Sequence, residues 1–358
     1  MRETYHPGYS GRKAKKKNNR FLWFFILLLV IAGGGFYVYL LLFAPNVYTP
    51  KNQPANLYIK TGSTFEDVKK SLYSQGLIVH RKNFELVADL KKYNNVVKPG
   101  HYLLKPDMSN IELVNKLRAG IQDPVEVTFN NVRFTDQLAG NISKQIEADS
   151  LSLIKLMTDT AFLDTLGVTP LSIFTVVIPN TYEFYWNTTA RNFLNRMKKE
   201  SDKFWGGKRE QEMKKLNFTR LQVITLASIV DKETNKDDEK ARVAGVYINR
   251  LNKGWLLEAD PTLVFAHGNF EIKRVLNIYK QIDSPYNTYK YQGLPPGPIC
   301  LPSVSSIDAV LNPEIHNYMF FCAREDFSGY HSFATTIEEH NVNAWKYQQA
   351  LNQRNILN

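Results

Sequence analysis

Residues 217–251, "NFTRLQVITLASIVDKETNKDDEKARVAGVYINRL", read as two helices joined by a short polar turn, with two carboxylates at the join. Thr219 and Gln222 stand in capping-box spacing, so the first helix starts there. With about 100° between successive residues, Val223, Leu226, Ala227 and Val230 share one face. Glu233 continues the row of Leu226 and Val230, whereas Asp231 falls on the flank, in line with Ile224 and Ala227. Glu233 is therefore the acid more nearly aligned with the buried stripe. In the second helix Val243, Val246, Tyr247 and Leu251 recur at helical spacing. Acids in a last turn oppose the helix dipole, at a cost of a few tenths to about 1 kcal/mol. That penalty leans against surface decoration, but the residues alone leave two readings open: solvated acids, or a functional carboxyl ending an apolar helix.

The 358-residue chain has room for about two domains, and its composition is that of a globular protein. Of the formal charge of +11, residues 1–20 hold +6, seven Lys and Arg against Glu3, which leaves +5 for residues 21–358. No stripe of interleaved Arg and aromatic residues appears, so a nucleic-acid partner is not expected. The tail is followed by "FLWFFILLLVIAGGGFYVYLLLF", residues 21–43, without one charge. A helix of that length spans about 35 Å, against about 30 Å for a bilayer core, and reads as a transmembrane helix. A cleaved signal peptide has a shorter apolar region, about 7–15 residues, and a small-x-small site that "LLLFAPNVYTP" does not offer. The basic tail on one side, with Lys51 alone in the first dozen residues on the other, predicts a cytoplasmic N-terminus and an exported remainder. Cys300 and Cys322 lie in that exported part, either as one disulfide or as buried small apolar residues. The seven histidines form neither an H-x-x-x-H pair nor a set with paired cysteines, so no metal and no cofactor is expected.

Residues 44–55, "APNVYTPKNQPA", lack periodicity and are expected to be a linker lifting the next unit off the membrane. A compact α/β module follows over residues 56–120. "NLYIKTG" alternates like a strand, "STFEDVKKSLYSQGLI" is a capped amphipathic helix stopped by Gly76, and "NFELVADLKKY" is a second helix. "VVKPGHYLL" is a turn and strand, and "SNIELVNKLRAG" a capped helix ending at Gly120. Residues 121–350 form a larger α+β unit, in which "PVEVTF" and "FTVVIPNTYEFYW" read as strands and "DQLAGNISKQIEADS" and "ARNFLNRMKKE" as helices. The fold class is α+β, with one N-terminal transmembrane helix. Neither an internal repeat nor a Gly-rich phosphate loop is present, which argues against a nucleotide enzyme.

Motifs elsewhere decide between the two readings of the acids. "IPNTYEFY", "ASIVDKET", "RVAGVYINRL", "EADPTLVFAHG", "SPYNTYKYQGLPPGPICLPS" and "GYHSFATTIEEHN" occur in that order, and together they resemble the endolytic murein transglycosylase family, the MltG or YceG-like proteins. The resemblance covers about residues 55–350. Within it, "LYIKTGSTFEDVKKSLYSQGLI" and "KPGHYLL" resemble a LysM-like module, which implies binding of cell-wall glycan.

The resemblance implies a lyase that cuts the MurNAc-β-1,4-GlcNAc bond in nascent peptidoglycan and leaves 1,6-anhydro-MurNAc ends. It implies Glu233 as the catalytic acid, the second acid of a motif that commonly carries Glu at both positions. Here the first is Asp231, shorter by a methylene, with an expected role in orienting Glu233 or the substrate, or a purely structural one. An intramolecular nucleophile removes the need for the carboxylate pair of ordinary glycosidases, and one carboxyl held protonated near neutrality by apolar surroundings serves as acid and then base. Asp260, Tyr286, Asn287 and Tyr289 are expected to contact sugars, His331 to orient a group in the cleft, and Tyr182 and Glu183 to line it. "GLPPGPI", residues 293–299, forms neither helix nor central strand and is expected to shape a rigid loop. The expected partners are peptidoglycan glycan strands and, through residues 21–43, the lipid bilayer of the bacterial inner membrane; peptidoglycan synthases are candidate partners. Two alternatives stand: a two-carboxylate muramidase with Glu183 as second acid, and a non-catalytic wall-binding partner of synthases.

Overall fold

The computed structural model describes residues 1–3, 8, 19–130, 132–272 and 275–354. The chain is mostly helical, with three two-stranded antiparallel sheets among the described residues, and divides into two compact units, residues 1–123 and 124–358. The basic stretch of the first twenty residues lies almost wholly outside the described residues.

In the first unit α1 (Arg20–Phe43) is exposed along nearly all its apolar length, and it is long and apolar enough to cross a membrane. It is followed by β1 (Ala55–Ile59), α2 (Phe65–Ser74), α3 (Arg81–Leu90), β2 (Gly100–Leu104) and α4 (Asn110–Ala119). The strands pair antiparallel, with Ala55 opposite Leu104 and Ile59 opposite Gly100. Both helices predicted to be capped start in capping boxes, at Thr64 with Asp67 and at Ser109 with Glu112, and Gly120 ends α4 in the left-handed region. Leu57, Ile59, Leu72, Phe84, Val87, Tyr102 and Leu113 fill the core.

The expected linker is in large part built into this unit. Asn46, Val47 and Thr49 are buried, and the backbone N–H groups of Asn46 and Val47 both donate to Met108 O at 3.0 Å. Asn46 Nδ2 donates to Asn110 Oδ1 at 2.6 Å, and Asn110 Nδ2 donates to Leu41 O at 2.9 Å. That carbonyl belongs to the last turn of α1 and has no partner within its own helix, so Asn110 satisfies it. The helix is thus clasped to the module rather than tethered to it; besides Pro45 and Tyr48, the exposed part of the segment is residues 50–54.

The second unit opens with β3 (Val125–Phe129), α5 (Thr135–Ser143), α6 (Ser150–Thr158) and α7 (Thr160–Leu166). It continues with β4 (Asn180–Phe184), α8 (Ala190–Trp205), α9 (Lys208–Lys215), α10 (Arg220–Glu233), α11 (Asp237–Asn252), α12 (Asp260–His267) and α13 (Val304–Leu311), and closes with β5 (Phe320–Ala323), β6 (His331–Ala334) and α14 (Ile337–Gln353). β3 pairs with β4 and β5 with β6, both antiparallel. The predicted strand from Phe174 is shorter than its β-branched composition suggests. Val176, Val177 and Ile178 are buried in irregular backbone, and pairing begins only at Asn180, after Pro179. Likewise the predicted helix over residues 136–150 ends early, at Ser143, and a new helix begins only at Ser150, where Asp149 caps the start by accepting the N–H of Ser152 at 2.7 Å.

The core of this unit is α10. Every residue from Val223 to Val230 is buried, Thr225 and Ser228 included, so the helix is enclosed all round rather than along one stripe. It packs against α11, α12 and α13. Gly245 lets α11 close on the segment after α13, where an added Cβ would fall 2.5 Å from Glu314 O and 2.7 Å from His316 Nε2.

Candidate active site

A helix enclosed on all sides can place a carboxyl at its end with almost no freedom, and α10 does this with Glu233. Its start is fixed by the predicted capping box: Thr219 Oγ1 accepts Gln222 N at 3.2 Å, and Gln222 Oε1 accepts Thr219 N at 2.8 Å. Its end is fixed by Thr234, buried and extended, whose hydroxyl donates to Glu239 Oε2 at 3.4 Å and accepts Lys236 N at 3.0 Å. The turn into α11 is thereby closed one residue beyond Glu233.

Glu233 sits where two open lobes meet. The larger, of about 800 Å³, is lined by apolar side chains including Phe265, Phe270 and Ile299, together with Arg133 and Lys232. The smaller, of about 510 Å³, is polar and aromatic, lined among others by Tyr247, Arg250, Tyr289, Phe321 and His331. Glu233, Asp260 and Tyr347 border both. Tyr247, on α11, donates its hydroxyl to Glu233 Oε1 at 2.6 Å. Burial pushes the Glu233 carboxyl up to about 7; the nearby charge of Asp260 adds to the rise, while the Tyr247 hydrogen bond and the charge of Arg250 oppose it. Near neutral pH the group is poised between acid and base. Burial also raises the Tyr247 phenol far above its ordinary range, with the Glu233 carboxyl adding to the rise, so it remains a donor.

Asp260 opens α12 and is oriented by Tyr289, whose hydroxyl donates to its Oδ1 at 2.6 Å. Buried Thr288 brings the two loops together: its Oγ1 accepts Ala259 N at 3.0 Å and its carbonyl accepts Glu258 N at 3.1 Å. Arg250 is anchored by donating to Met319 O at 2.8 Å and Leu257 O at 2.9 Å, and pairs with Glu258 at 3.0 Å. The "GLPPGPI" loop is irregular and is pinned to α10 where Ile299 N donates to Ser228 Oγ at 3.0 Å.

The structure therefore brings Glu233, Asp260, Tyr289 and His331 to one cleft, and places the other expected residues elsewhere. Asp231 lines neither lobe. Its Oδ1 accepts Ser303 N at 3.1 Å, Ser303 Oγ at 2.6 Å and Ser306 Oγ at 2.7 Å, which caps α13. These hydrogen bonds hold its carboxyl below the ordinary range although burial, the largest single influence, pulls the other way. Asn287 is fully buried and its amide is consumed by Lys280 O, Ile282 O and Tyr289 N, so it shapes the loop and does not face sugar. Tyr286 packs on Phe265 at 4.7 Å and Tyr182 donates to Ile178 O at 2.9 Å, neither lining a lobe. Glu183 is exposed on β4 opposite Glu126, away from the lobes. Tyr247 reads in the sequence as an ordinary member of an amphipathic helix and Arg250 is not singled out there; the direction of both side chains is set by packing. Cys300 is buried, its thiol pushed up to about 12 by burial, and Cys322 is partly buried; the two are unpaired.

The fold and cleft together define a mostly helical α+β protein in which the Glu233 carboxyl, raised to about 7 by burial, stands with Asp260 between two lobes of an open groove. The chain belongs to the YceG-like family, whose model matches residues 57–346. It is 28% identical over 317 residues to the endolytic murein transglycosylase of Bacillus subtilis (strain 168), covering 84% of this chain and 86% of the relative. It is 27% identical to that of Streptococcus pneumoniae serotype 2 (strain D39) over 80% of this chain, and spans 57% of that longer relative. Among solved structures, a yceG-like protein from Listeria monocytogenes aligns with a TM-score of 0.55 and 28% identity, over 81% of this chain and 98% of the other.

Proposed function

We propose that this chain is a membrane-anchored endolytic lytic transglycosylase that cleaves the MurNAc-β-1,4-GlcNAc bond of nascent peptidoglycan strands and leaves 1,6-anhydro-MurNAc ends, terminating strand growth. The observation that carries the reading is Glu233, a carboxyl raised to about 7 at the junction of two lobes, in a family whose named relatives are endolytic murein transglycosylases. Protonated Glu233 donates to the glycosidic oxygen as the bond from the muramyl anomeric carbon breaks. The resulting carboxylate takes the proton of the muramyl 6-hydroxyl as that oxygen bonds to the same carbon. No water is consumed, and Glu233 ends protonated. Tyr247 fixes Oε1, which leaves Oε2 to carry the proton. Asp260 and Tyr289 are sugar-facing groups in this reading.

The same reading has α1 span the inner membrane with the N-terminus cytoplasmic and the catalytic unit outside. The strand-helix-helix-strand module after it is LysM-like and binds glycan. Peptidoglycan synthases are its candidate partners. Mass analysis of purified peptidoglycan strands digested by the full chain tests the chemistry: anhydro-muramyl ends are expected, and none with Glu233→Gln. Ends carrying one added water would instead support a muramidase. One observation favours that second reading, and it concerns Asp260 rather than Glu183, because Asp260 is the carboxylate that shares both lobes with Glu233.

A further inference from the structure

We propose that His331 anchors the glycan through Nε2 acting as a hydrogen-bond acceptor, with the buried carboxylate of Glu239 setting its tautomer. This rests on the glycan-cleaving reading above. Glu239, in the first turn of α11, is 2% exposed. It accepts three protein donors: the backbone N–H of His331 at 2.8 Å, His331 Nδ1 at 2.9 Å and Thr234 Oγ1 at 3.4 Å. An ionised carboxylate has lone pairs only, so the proton of a neutral imidazole lies on Nδ1 and Nε2 is an acceptor.

The ring is fixed as well as polarised. His331 starts β6 opposite Ala323 and stands edge-on to Phe321 at 5.3 Å. Phe321 in turn meets the ring of Tyr247 edge-on at 5.8 Å, so one aromatic wall joins His331 to the residue that holds Glu233. His331 lines the smaller lobe, and the ring nitrogen that its side-chain hydrogen bond to Glu239 engages is Nδ1. A histidine present only to close the Glu239 clasp needs Nδ1 alone, and this one also lines the lobe. Sugars carry the complementary donors in number, ring hydroxyls and acetamido N–H groups.

Two substitutions in the full chain, in detergent, separate anchoring from a structural role. His331→Asn keeps an amide donor near the Nδ1 position, and hence the clasp, but removes Nε2. Glu239→Gln keeps an acceptor for the His331 N–H and donates to Nδ1, which moves the imidazole proton to Nε2 and turns the acceptor into a donor. With uncrosslinked peptidoglycan strands as substrate, KM is expected to rise about tenfold in each, the weight of one hydrogen bond, while kcat stays within about threefold. His331→Asn is expected to keep the wild-type Tm. An unchanged KM in both variants overturns the proposal, as does a fall in kcat alone accompanied by a lower Tm, which marks a purely structural clasp. A wild-type chain that cuts no strands overturns the catalytic reading and this inference with it.

Discussion

The Tyr247 hydroxyl donates to Glu233 Oε1 at 2.6 Å, linking the last residue of α10 to the interior of α11 through a single bond. It is the one hydrogen bond that opposes the burial-driven rise of the Glu233 pKa, because it favours the carboxylate. In the proposed mechanism protonated Glu233 is the reactive form of the free enzyme, so kcat/KM is expected to fall as pH rises through about 7.

Tyr247→Phe removes the bond and leaves the ring in place. The Glu233 pKa is then expected to rise further and the alkaline limb of kcat/KM to move to higher pH. A loss in kcat of about tenfold, one hydrogen bond's worth, is expected at the optimum. A pH–rate profile on peptidoglycan strands reads both effects; a limb that moves to lower pH contradicts the assignment.

Asp260→Asn shifts the limb the other way. The charge of Asp260 raises the Glu233 pKa, and its removal lowers it. The asparagine oxygen still accepts the Tyr289 hydroxyl, so the loop geometry is retained. At pH above 7 the variant is expected to lose activity that acidification restores.

Stability carries the same signature. A carboxyl whose folded pKa lies near 7 against an ordinary 4.5 is protonated in the fold over a window where the unfolded chain has lost its proton. Stability is therefore fully present below about pH 4.5 and is lost as pH rises through about 7, by up to about 3 kcal/mol. Urea midpoints of wild type should fall across that window, and those of Glu233→Gln should fall less.

Asp231 is expected to matter for stability with the opposite pH sense. Its depressed pKa gives stability that is present above the ordinary 3.8 and is lost on further acidification. Asp231→Asn weakens the bonds to Ser303 and Ser306 and should cost about 1–3 kcal/mol in urea unfolding. Because α13 packs on α10 and α11, activity should fall only as far as folding does. A variant that unfolds like wild type yet loses all activity would place Asp231 in the chemistry instead.

Much of this architecture was legible residue by residue. The capping boxes at Thr64, Ser109 and Thr219 depend on side chains three residues apart, and each forms. The apolar run of α1 and the helical spacing that singled out Glu233 over Asp231 are local as well. Less legible was anything set by packing from a distance. Val176, Val177 and Ile178 have strand composition but lie in irregular backbone, because burial in the core replaced the partner strand. The segment after α1 looked like a linker because nothing local shows that Asn46 and Asn110, far apart in sequence, meet at 2.6 Å.

The sequence by itself determined the order of elements in the module after the apolar N-terminal helix, that helix, the family and the acid that ends α10, since each depends on neighbours within a few turns or on motif order. Tertiary structure alone decided which polar residues share the cleft. It took Asp231, Asn287 and Glu183 away, brought in Tyr247 and Arg250, and set the Glu239 carboxylate behind the expected His331. The physical reason is that a side chain's direction and its hydrogen-bond partners are fixed by helices that meet only after folding, and burial by those helices moves the Glu233 carboxyl to about 7.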